Sequence, residues 1–193
     1  MVRREVLKGG LAMAGLLAAG TWALPFPADA AGRSEVHMKT LSSKLADALR
    51  SIGTDPCIAK AAQLEATRKD DRELSFHLRS AELDEAATAI IAGALRSLSD
   101  NEASYLASFS LSYNQGIGDT GAVHLAHALP QGLRVLGLVG CGIGDQGGEA
   151  LLQWASQAQR LRMICIEGNS FSGALTARFQ ELARQSSSLF VVV

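Results

Sequence analysis

The sequence is poor in features that would assign a function class directly. Only 5% of its 193 residues are aromatic although 48% are hydrophobic, so a core must consist of Leu, Ile, Val and Ala. There are 18 basic and 19 acidic residues, which leaves a net charge of −1 and no basic excess for binding nucleic acid or an anionic membrane. This composition favours many small repeated contacts over one core centred on aromatic side chains.

Patterns for metals and cofactors are also missing. The three cysteines, Cys57, Cys141 and Cys165, fit neither a zinc site nor a dense disulfide framework. His124 and His127 lie three residues apart on one predicted helix without a third ligand. The glycines are accompanied neither by a Walker-type lysine nor by a GxGxxG pattern after a strand. We therefore predict no metal and no cofactor.

The first 30 residues have the organisation of an export signal. Arg3 and Arg4 begin a basic head, residues 9–24 form an apolar run, and a small-residue cleavage site ends at Ala30. We predict a signal peptide over residues 1–30 with cleavage after Ala30. The apolar run is too short and too rich in Gly and Ala to predict a membrane span.

The string Arg-Arg-Glu-Val-Leu-Lys at residues 3–8 resembles a twin-arginine signal. That resemblance implies export of an already folded chain, which makes the protein periplasmic or secreted. The same signal type serves the thylakoid lumen, which is an alternative location. An ordinary secretory signal is the alternative route of export.

Residues 73–193 repeat one pattern about every 28 residues. Residues 133–145 have the form L-x-x-L-x-L-x-x-C-x-I-G-D, a helical run follows, and the pattern restarts at Leu161. The starts at Leu106, Leu133, Leu161 and Leu189 are 27, 28 and 28 residues apart. Such a period predicts a repeat architecture, because each unit has one apolar side that it can bury only against its neighbours.

Four units and a terminal strand, residues 189–193, follow from this register. The repeat positions are Phe76, Leu78, Ala81 and Leu83 in the first unit; Leu106, Phe109, Leu111, Asn114 and Ile117 in the second; Leu133, Leu136, Leu138, Cys141 and Ile143 in the third; and Leu161, Ile164, Ile166, Asn169 and Phe171 in the fourth. We expect helices ending near residues 95 and 129, then around residues 151 and 179, and a polar loop over residues 96–104.

Three positions of the register have expected roles. Leu111, Leu138 and Ile166 are predicted to lie side by side on adjacent parallel strands. An Asn at position 114 or 169 can bond the backbone of the turn, whereas Cys141 does so weakly and mainly packs. The acidic residues at 119 and 145 precede helices and can cap them.

These residues resemble leucine-rich repeats of the ribonuclease-inhibitor type. The resemblance rests on the 28-residue period and on the alternation of Asn114, Cys141 and Asn169, and it is strongest in the second and third units. It implies an α/β solenoid, a short right-handed horseshoe with parallel strands inside and helices outside. It also implies protein recognition through the inner strand face. The sequence itself gives little support for an enzyme, and we predict none.

Residues 31–72 precede the repeats and are predicted to be helical. Leucines at 41, 45 and 49 are spaced as in an amphipathic helix over 33–52, and Gly53 suits its end. Residues 54–56 start a second helix that runs to about residue 67. Because an uncovered solenoid end exposes apolar surface, we interpret these helices as an amino-terminal cap. The charge run at 68–73 is interpreted as a solvated loop.

The predicted partner-binding residues lie between the buried strand positions. They are Ser75, His77, Arg79, Ser108, Ser110, Ser112, Tyr113, Val135, Gly137, Val139, Met163, Cys165 and Glu167, with Phe190 and Val191 from the final strand. We expect an exported module that binds an unidentified protein partner. Two alternatives remain: self-association through strand 189–193, and a hydrolase that uses His77 and the neighbouring serines, for which the sequence shows no orienting acid.

Overall fold

The computed structural model describes residues 29–66 and 72–193. The predicted twin-arginine string and the apolar run lie outside the described residues, as does most of the charge run at 68–73. Residues 29 and 30, at the predicted cleavage site, are the first two residues of a helix. No helix within the described ranges is long and apolar enough to cross a membrane.

Five strands form one parallel sheet in the described part of the chain. They are β1 (Leu74–His77), β2 (Leu106–Ser110), β3 (Val135–Gly137), β4 (Met163–Cys165) and β5 (Phe190–Val192). Their order in the sheet is their order in the sequence, so each strand pairs with the strand of the next unit. The parallel α/β arrangement predicted from the repeat pattern is therefore present.

Helices precede and connect these strands. They are α1 (Asp29–Ile52), α2 (Asp55–Glu65), α3 (Glu85–Arg96), α4 (Asp100–Ala103), α5 (Gly118–Ala126), α6 (Asp145–Gln157) and α7 (Gly173–Gln185). The single-turn helix α4 lies where we predicted only a polar loop. It forms because Ser99 and Glu102 each accept a hydrogen bond from the other's backbone N–H, which satisfies two amides at the helix start.

The core of the repeats lies between the sheet and the helices. Leu111, Leu138 and Ile166 lie one residue beyond the ends of β2, β3 and β4, and all three are fully buried. The N–H of Leu111 donates to the carbonyl of Gly137 at 3.0 Å, and that of Leu138 donates to the carbonyl of Cys165 at 2.8 Å. The ladder thus continues through these residues, each of which contributes about 1.5–3 kcal/mol by burial.

The two amino-terminal helices join the same core. Leu41 and Leu45 of α1 and Cys57 of α2 are buried in one cluster with the repeat residues. The Nζ of Lys44 donates to the carbonyl of Ser97 at 2.9 Å and to Oε2 of Glu102 at 2.8 Å. The Lys44 hydrogen bond is the main cause that lowers the pKa of the Glu102 carboxyl. Helix α1 is therefore tied to the insertion between the first two units.

Two asparagines bond the turn of the unit before their own. Oδ1 of Asn114 accepts from the N–H of Ala81 at 2.7 Å and of Leu83 at 3.2 Å, and its Nδ2 donates to the carbonyls of Leu78 and Leu111. Asn169 makes the corresponding four bonds to the backbone of residues 138, 141, 143 and 166. These side chains therefore join the first unit to the second and the third to the fourth.

Cys141 occupies the same position between the second and third units but bonds less. Its buried thiol donates to the carbonyl of Leu111 at 3.3 Å and lies 3.5 Å from that of Val139. Burial raises the pKa of this thiol to about 11, so it is protonated at neutral pH.

The expectation that Asp119 and Asp145 cap their own helices is wrong. Oδ1 of Asp119, in the first turn of α5, instead accepts from the N–H groups of Gly144 and Gly147 at the start of α6, at 2.8 and 2.7 Å. Asp145 likewise accepts from the N–H of Ser172, before α7, at 2.7 Å. Stacking of the units brings each carboxylate next to the amino-terminal amides of the following helix, where its charge is favourable.

Candidate binding face

The inner face is the side of the sheet that the helices do not cover. Side chains alternate along each strand, so the paired register groups this face into three rows that cross the strands. The first row is Ser75, Ser108, Val135, Met163 and Phe190; the second is His77, Ser110, Gly137, Cys165 and Val192; the third, beyond the strand ends, is Arg79, Ser112, Val139 and Glu167. The predicted strand residues are brought together, with two corrections.

The first correction concerns the final strand. Val191 pairs with Ile164, which is fully buried, and Val191 packs against the core. Val192 pairs with Cys165 and takes the inner-face position instead. Phe190 and Val191 cannot both lie on the inner face, because consecutive strand residues point to opposite sides.

The second correction concerns Ser112, which we predicted as a contact residue. Its side chain is only 2% exposed, and its hydroxyl accepts from the N–H of Val139 at 3.1 Å and lies 3.1 Å from that of Ser110. This hydroxyl therefore supports the backbone of the next unit and is not available to a partner.

The β1 end of the face is polar and cationic. Nε2 of His77 lies 2.8 Å from Oγ of Ser108 on the neighbouring strand. Burial, followed by the charges of Lys60 and Arg79, lowers the pKa of His77, so this imidazole is neutral at pH 7. A catalytic Ser–His pair needs an acid that stabilises the imidazolium, whereas the charged groups acting on His77 are cations. The arrangement therefore gives little support to hydrolysis.

Tyr113 is held in an unusual backbone conformation at this end. Its φ is +65°, in the left-handed region that a bulky residue seldom adopts, at a cost of about 1–2 kcal/mol. Ser80, Gly140 and Gly168 occupy the same repeat position, also with positive φ, and glycine adopts it without that cost. The aligned glycines were the signal in the sequence that could have revealed this feature.

The ring of Tyr113 is half exposed between two neighbours. The guanidinium carbon of Arg79 lies 4.9 Å from its centroid, and the position that a Cβ of Gly140 would take lies 3.4 Å from its edge. Arg79 makes no ion pair with any residue that the structure describes. The stack thus presents an aromatic ring and an unpaired guanidinium together.

The β4–β5 end of the face is apolar. Phe190 is 65% exposed and Met163 is 39% exposed, and they pair in the first row. Cys165 is half-buried beside them, and burial followed by the charge of Glu167 raises the pKa of its thiol. Oε2 of Glu167 is buried without a hydrogen-bond partner within the described ranges.

A groove that the sequence did not indicate lies between α6 and α7. This groove of about 640 Å³ includes Leu152 and Leu182, with the ion pair of Glu149 and Arg178 at its side. On the other side of α6, Gly147 packs so closely on α5 that an added Cβ would lie 2.8 Å from Cβ of Ala122. Leu175 takes the position of Gly147 in the fourth unit, and its side chain packs on Gly148 of α6, where an added Cβ would lie 2.5 Å from Cδ2 of Leu175.

No metal-binding cluster of three or more His, Cys, Asp or Glu side chains is present among the described residues. Cys57, Cys141 and Cys165 are all free thiols. His124 lies in α5 and His127 is the residue directly after its end.

Comparison with known families identifies the central units. Residues 103–126 and 132–152 each match a family model described as Leucine Rich repeat. These two segments are therefore similar to leucine-rich repeats. They contain β2, α5, β3 and the first half of α6, and together with the parallel sheet they support a leucine-rich-repeat solenoid. No curated protein matches the chain.

Proposed function

We propose that this chain is an exported protein-interaction module that binds a protein partner through the inner face of its leucine-rich repeats. The observation that carries this proposal is the exposure of Phe190 and Met163 on the face opposite the core. Large apolar side chains grouped on an exposed concave or flat surface are typical of interaction sites. Helices cover the other side of the sheet, so the inner face is the side that a partner can reach.

The finer architecture is part of this proposal. We infer a short right-handed horseshoe of the ribonuclease-inhibitor type, with repeats over 73–193 and an amino-terminal cap over 31–72. The burial of Leu41, Leu45 and Cys57 in the repeat core supports the cap, because these residues cover apolar surface of the first unit.

Site-specific cross-linking tests binding through this face. A photo-reactive amino acid replaces Ser110, on the inner face, or Gln180, exposed on α7, in the full-length chain within its own host cells. We expect discrete adducts with a protein partner from position 110 and none from position 180. Equal adducts from both positions, or none from position 110, would contradict the proposal.

Export is tested separately at the signal. Replacement of Arg3 and Arg4 by Lys keeps the charge but removes the twin-arginine pattern, and we expect the precursor to accumulate inside the cell. Unchanged export would support an ordinary secretory signal. Cell fractionation also decides between a periplasmic or secreted location and the thylakoid lumen.

Self-association is the second candidate function. The apolar strand β5 ends the described sheet, and unpaired strand edges pair readily with other chains. Light scattering on the full chain tests this candidate. A mass above that of the monomer that falls when Val191 is replaced by Pro would favour it, and a monomer at high concentration would exclude it.

A hydrolase is the third candidate, favoured only by the 2.8 Å contact of His77 and Ser108. An esterase screen of the wild type and of His77→Ala tests it. Activity that the substitution abolishes would replace the binding proposal, and equal background activity in both chains would exclude this candidate.

A further inference from the structure

The inner face changes character from one end to the other. Its first row begins with Ser75 and Ser108 on β1 and β2 and continues with Val135, Met163 and Phe190 on β3 to β5, so the row changes from polar to apolar. Its third row runs from a cation at Arg79 to an anion at Glu167. A partner that fits this face must therefore have two chemically different ends.

Arg79 is prepared for an anionic group. It is exposed and makes no ion pair with the residues that the structure describes, and the ring of Tyr113 beneath it restricts its orientation. The charges of Lys60 and Arg79 both lower the pKa of His77, so two cationic groups lie near this end of the face. A guanidinium with free donors binds a carboxylate through two parallel hydrogen bonds.

The conformation of Tyr113 also points to a role in contact with a ligand. Glycine occupies the same position in the third and fourth units, so the fold itself does not require a tyrosine there. The residue is 51% exposed, so burial does not account for a tyrosine at this position. An exposed aromatic side chain kept in a strained conformation is typical of a contact residue.

Glu167 and the apolar side chains define the other end. The carboxylate of Glu167, one oxygen of which has no hydrogen-bond partner among the described residues, repels a second acidic group near β4, whereas Met163 and Phe190 offer surface to large apolar side chains. Acidic residues of a ligand are thereby confined to the β1 end.

We infer that the inner face binds a protein segment with carboxylates at one end, against Arg79 and Tyr113, and large apolar side chains at the other, against Met163 and Phe190. This inference rests on the proposed function of protein binding. Arg79 and Phe190 lie four strand spacings apart, about 19 Å, and four residues apart along the strands, about 13 Å, so roughly seven extended residues span the diagonal between them.

Selection from a random 12-residue peptide library displayed on phage tests the inference on the full chain. We expect enrichment of sequences with Asp or Glu near one end and Leu, Met, Phe or Trp at least four residues away. If the immobilised protein enriches no peptide relative to a surface without protein, the proposed function itself is overturned. Enriched sequences without acidic residues would overturn only the ligand chemistry, as would enriched basic sequences.

Substitutions then test the contacts with an enriched peptide by fluorescence anisotropy. Arg79→Glu should weaken binding of the enriched peptide at least tenfold. The same variant should bind a second peptide, in which Lys replaces the acidic residues, with an affinity close to that of the original pair. The matched control is Arg160→Glu, an exposed arginine outside the inner face, which should leave the affinity unchanged. Equal effects of both substitutions, or no charge-swap rescue, would overturn the assignment of Arg79.

The substitution Tyr113→Gly distinguishes a role of the tyrosine ring in ligand contact from a role in the stability of the fold. It introduces the residue of the neighbouring units, so the melting temperature should be unchanged or higher, while the affinity falls about fivefold or more. A variant that keeps wild-type affinity would remove Tyr113 from the binding surface.

Discussion

The junction between the second and third units differs from the two junctions that flank it. On the turn side, Asn114 and Asn169 each join two units through four hydrogen bonds, whereas Cys141 at the middle junction offers one weakly bonding thiol. Between the helices the comparison is reversed, because there the middle junction has more polar contacts than the junctions beside it. The carboxylate of Asp119 bonds two amides of α6, and the indole of Trp154 donates to the carbonyl of Leu129 at 3.0 Å.

This comparison shows that a solenoid does not need the same polar contact at every junction. The middle junction has fewer bonds at the turn but more between its helices, where Gly147 lets α5 and α6 approach closely. The junction of the third and fourth units has the opposite distribution, with the Asn169 bonds at the turn and a groove between its helices. The apolar ladder is common to all of them.

The largest effect is expected from breaking that common ladder. Leu138→Asp leaves an unpaired charge in a fully buried position, and we expect it to prevent folding. Circular dichroism should show no cooperative melt. Met163→Asp, on the exposed side of the same sheet, is the control and should melt cooperatively; a cooperative melt of Leu138→Asp would refute the proposed register.

The next effect comes from the turn side. Asn114→Ala leaves two buried N–H groups and two carbonyls without this partner, and we expect a loss of about 3–5 kcal/mol in the free energy of unfolding. Asn169 is less buried, so Asn169→Ala should cost about 2–3 kcal/mol. Urea unfolding measures both.

Exposed Asn101 in α4 provides the control for this pair. Asn101→Ala should change the free energy of unfolding by less than about 0.5 kcal/mol. Equal losses for Asn101→Ala and Asn114→Ala would show that the turn bonds do not join the units.

On the helix side we expect smaller losses. Asp119→Ala should cost about 1–2 kcal/mol, because it removes the acceptor for two amides at the start of α6. Asp145→Ala, which removes one exposed bond to Ser172, should cost less. Thermal unfolding compares the two variants, and the reverse order would contradict the importance of the middle-junction carboxylate.

The smallest effect is expected at the thiol of the middle junction. Cys141→Ala removes a buried sulfur and one weak bond, and should cost about 1 kcal/mol at pH 7. The pKa of the Cys141 thiol is about 11 in the native protein, because the thiol is buried, and near 9 in the unfolded chain. Its contribution is therefore complete below pH 9 and is lost as the pH rises through 11.

A pH series checks this sign. The difference in urea midpoint between wild type and Cys141→Ala should shrink between pH 8 and pH 10.5, while tyrosine and lysine titrations affect both chains alike. A difference that grows with pH would contradict burial of the protonated thiol.

The sequence predicted the parts of the fold that depend on strand periodicity and little that depends on the distance between units. The recurrence of the Leu138 pattern about every 28 residues, together with the resemblance to leucine-rich repeats, was enough to predict adjacent parallel strands and their buried side. The hydrogen-bond partner of Asp119 could not be predicted, because its own helix and the next helix both begin with free amide groups. The distance between the two helices decides which amides the carboxylate reaches. Ser112 was misplaced for a similar reason: its burial depends on a hydrogen bond to the following unit.

The sequence predicted which positions make up the candidate site, but not how charged, aromatic and apolar groups are arranged across it. The rows of the inner face follow from the strand register. The stack of Arg79 on Tyr113 depends instead on a positive φ at residue 113, which is not expected for a tyrosine. The unpartnered oxygen of Glu167 depends on side-chain packing that the sequence does not encode locally. These features became visible only with the tertiary structure.

The exchange of Gly147 for Leu175 at the helix contact has a geometric consequence. Backbone hydrogen bonds hold neighbouring strands about 4.8 Å apart in every unit, whereas the bulk of one side chain decides how far neighbouring helices stand from each other. A stack whose outer edge advances further than its inner edge must bend. In the horseshoe that we propose, a single small or large residue at the helix contact therefore sets the curvature at each step, and this curvature can change from unit to unit without altering the inner face.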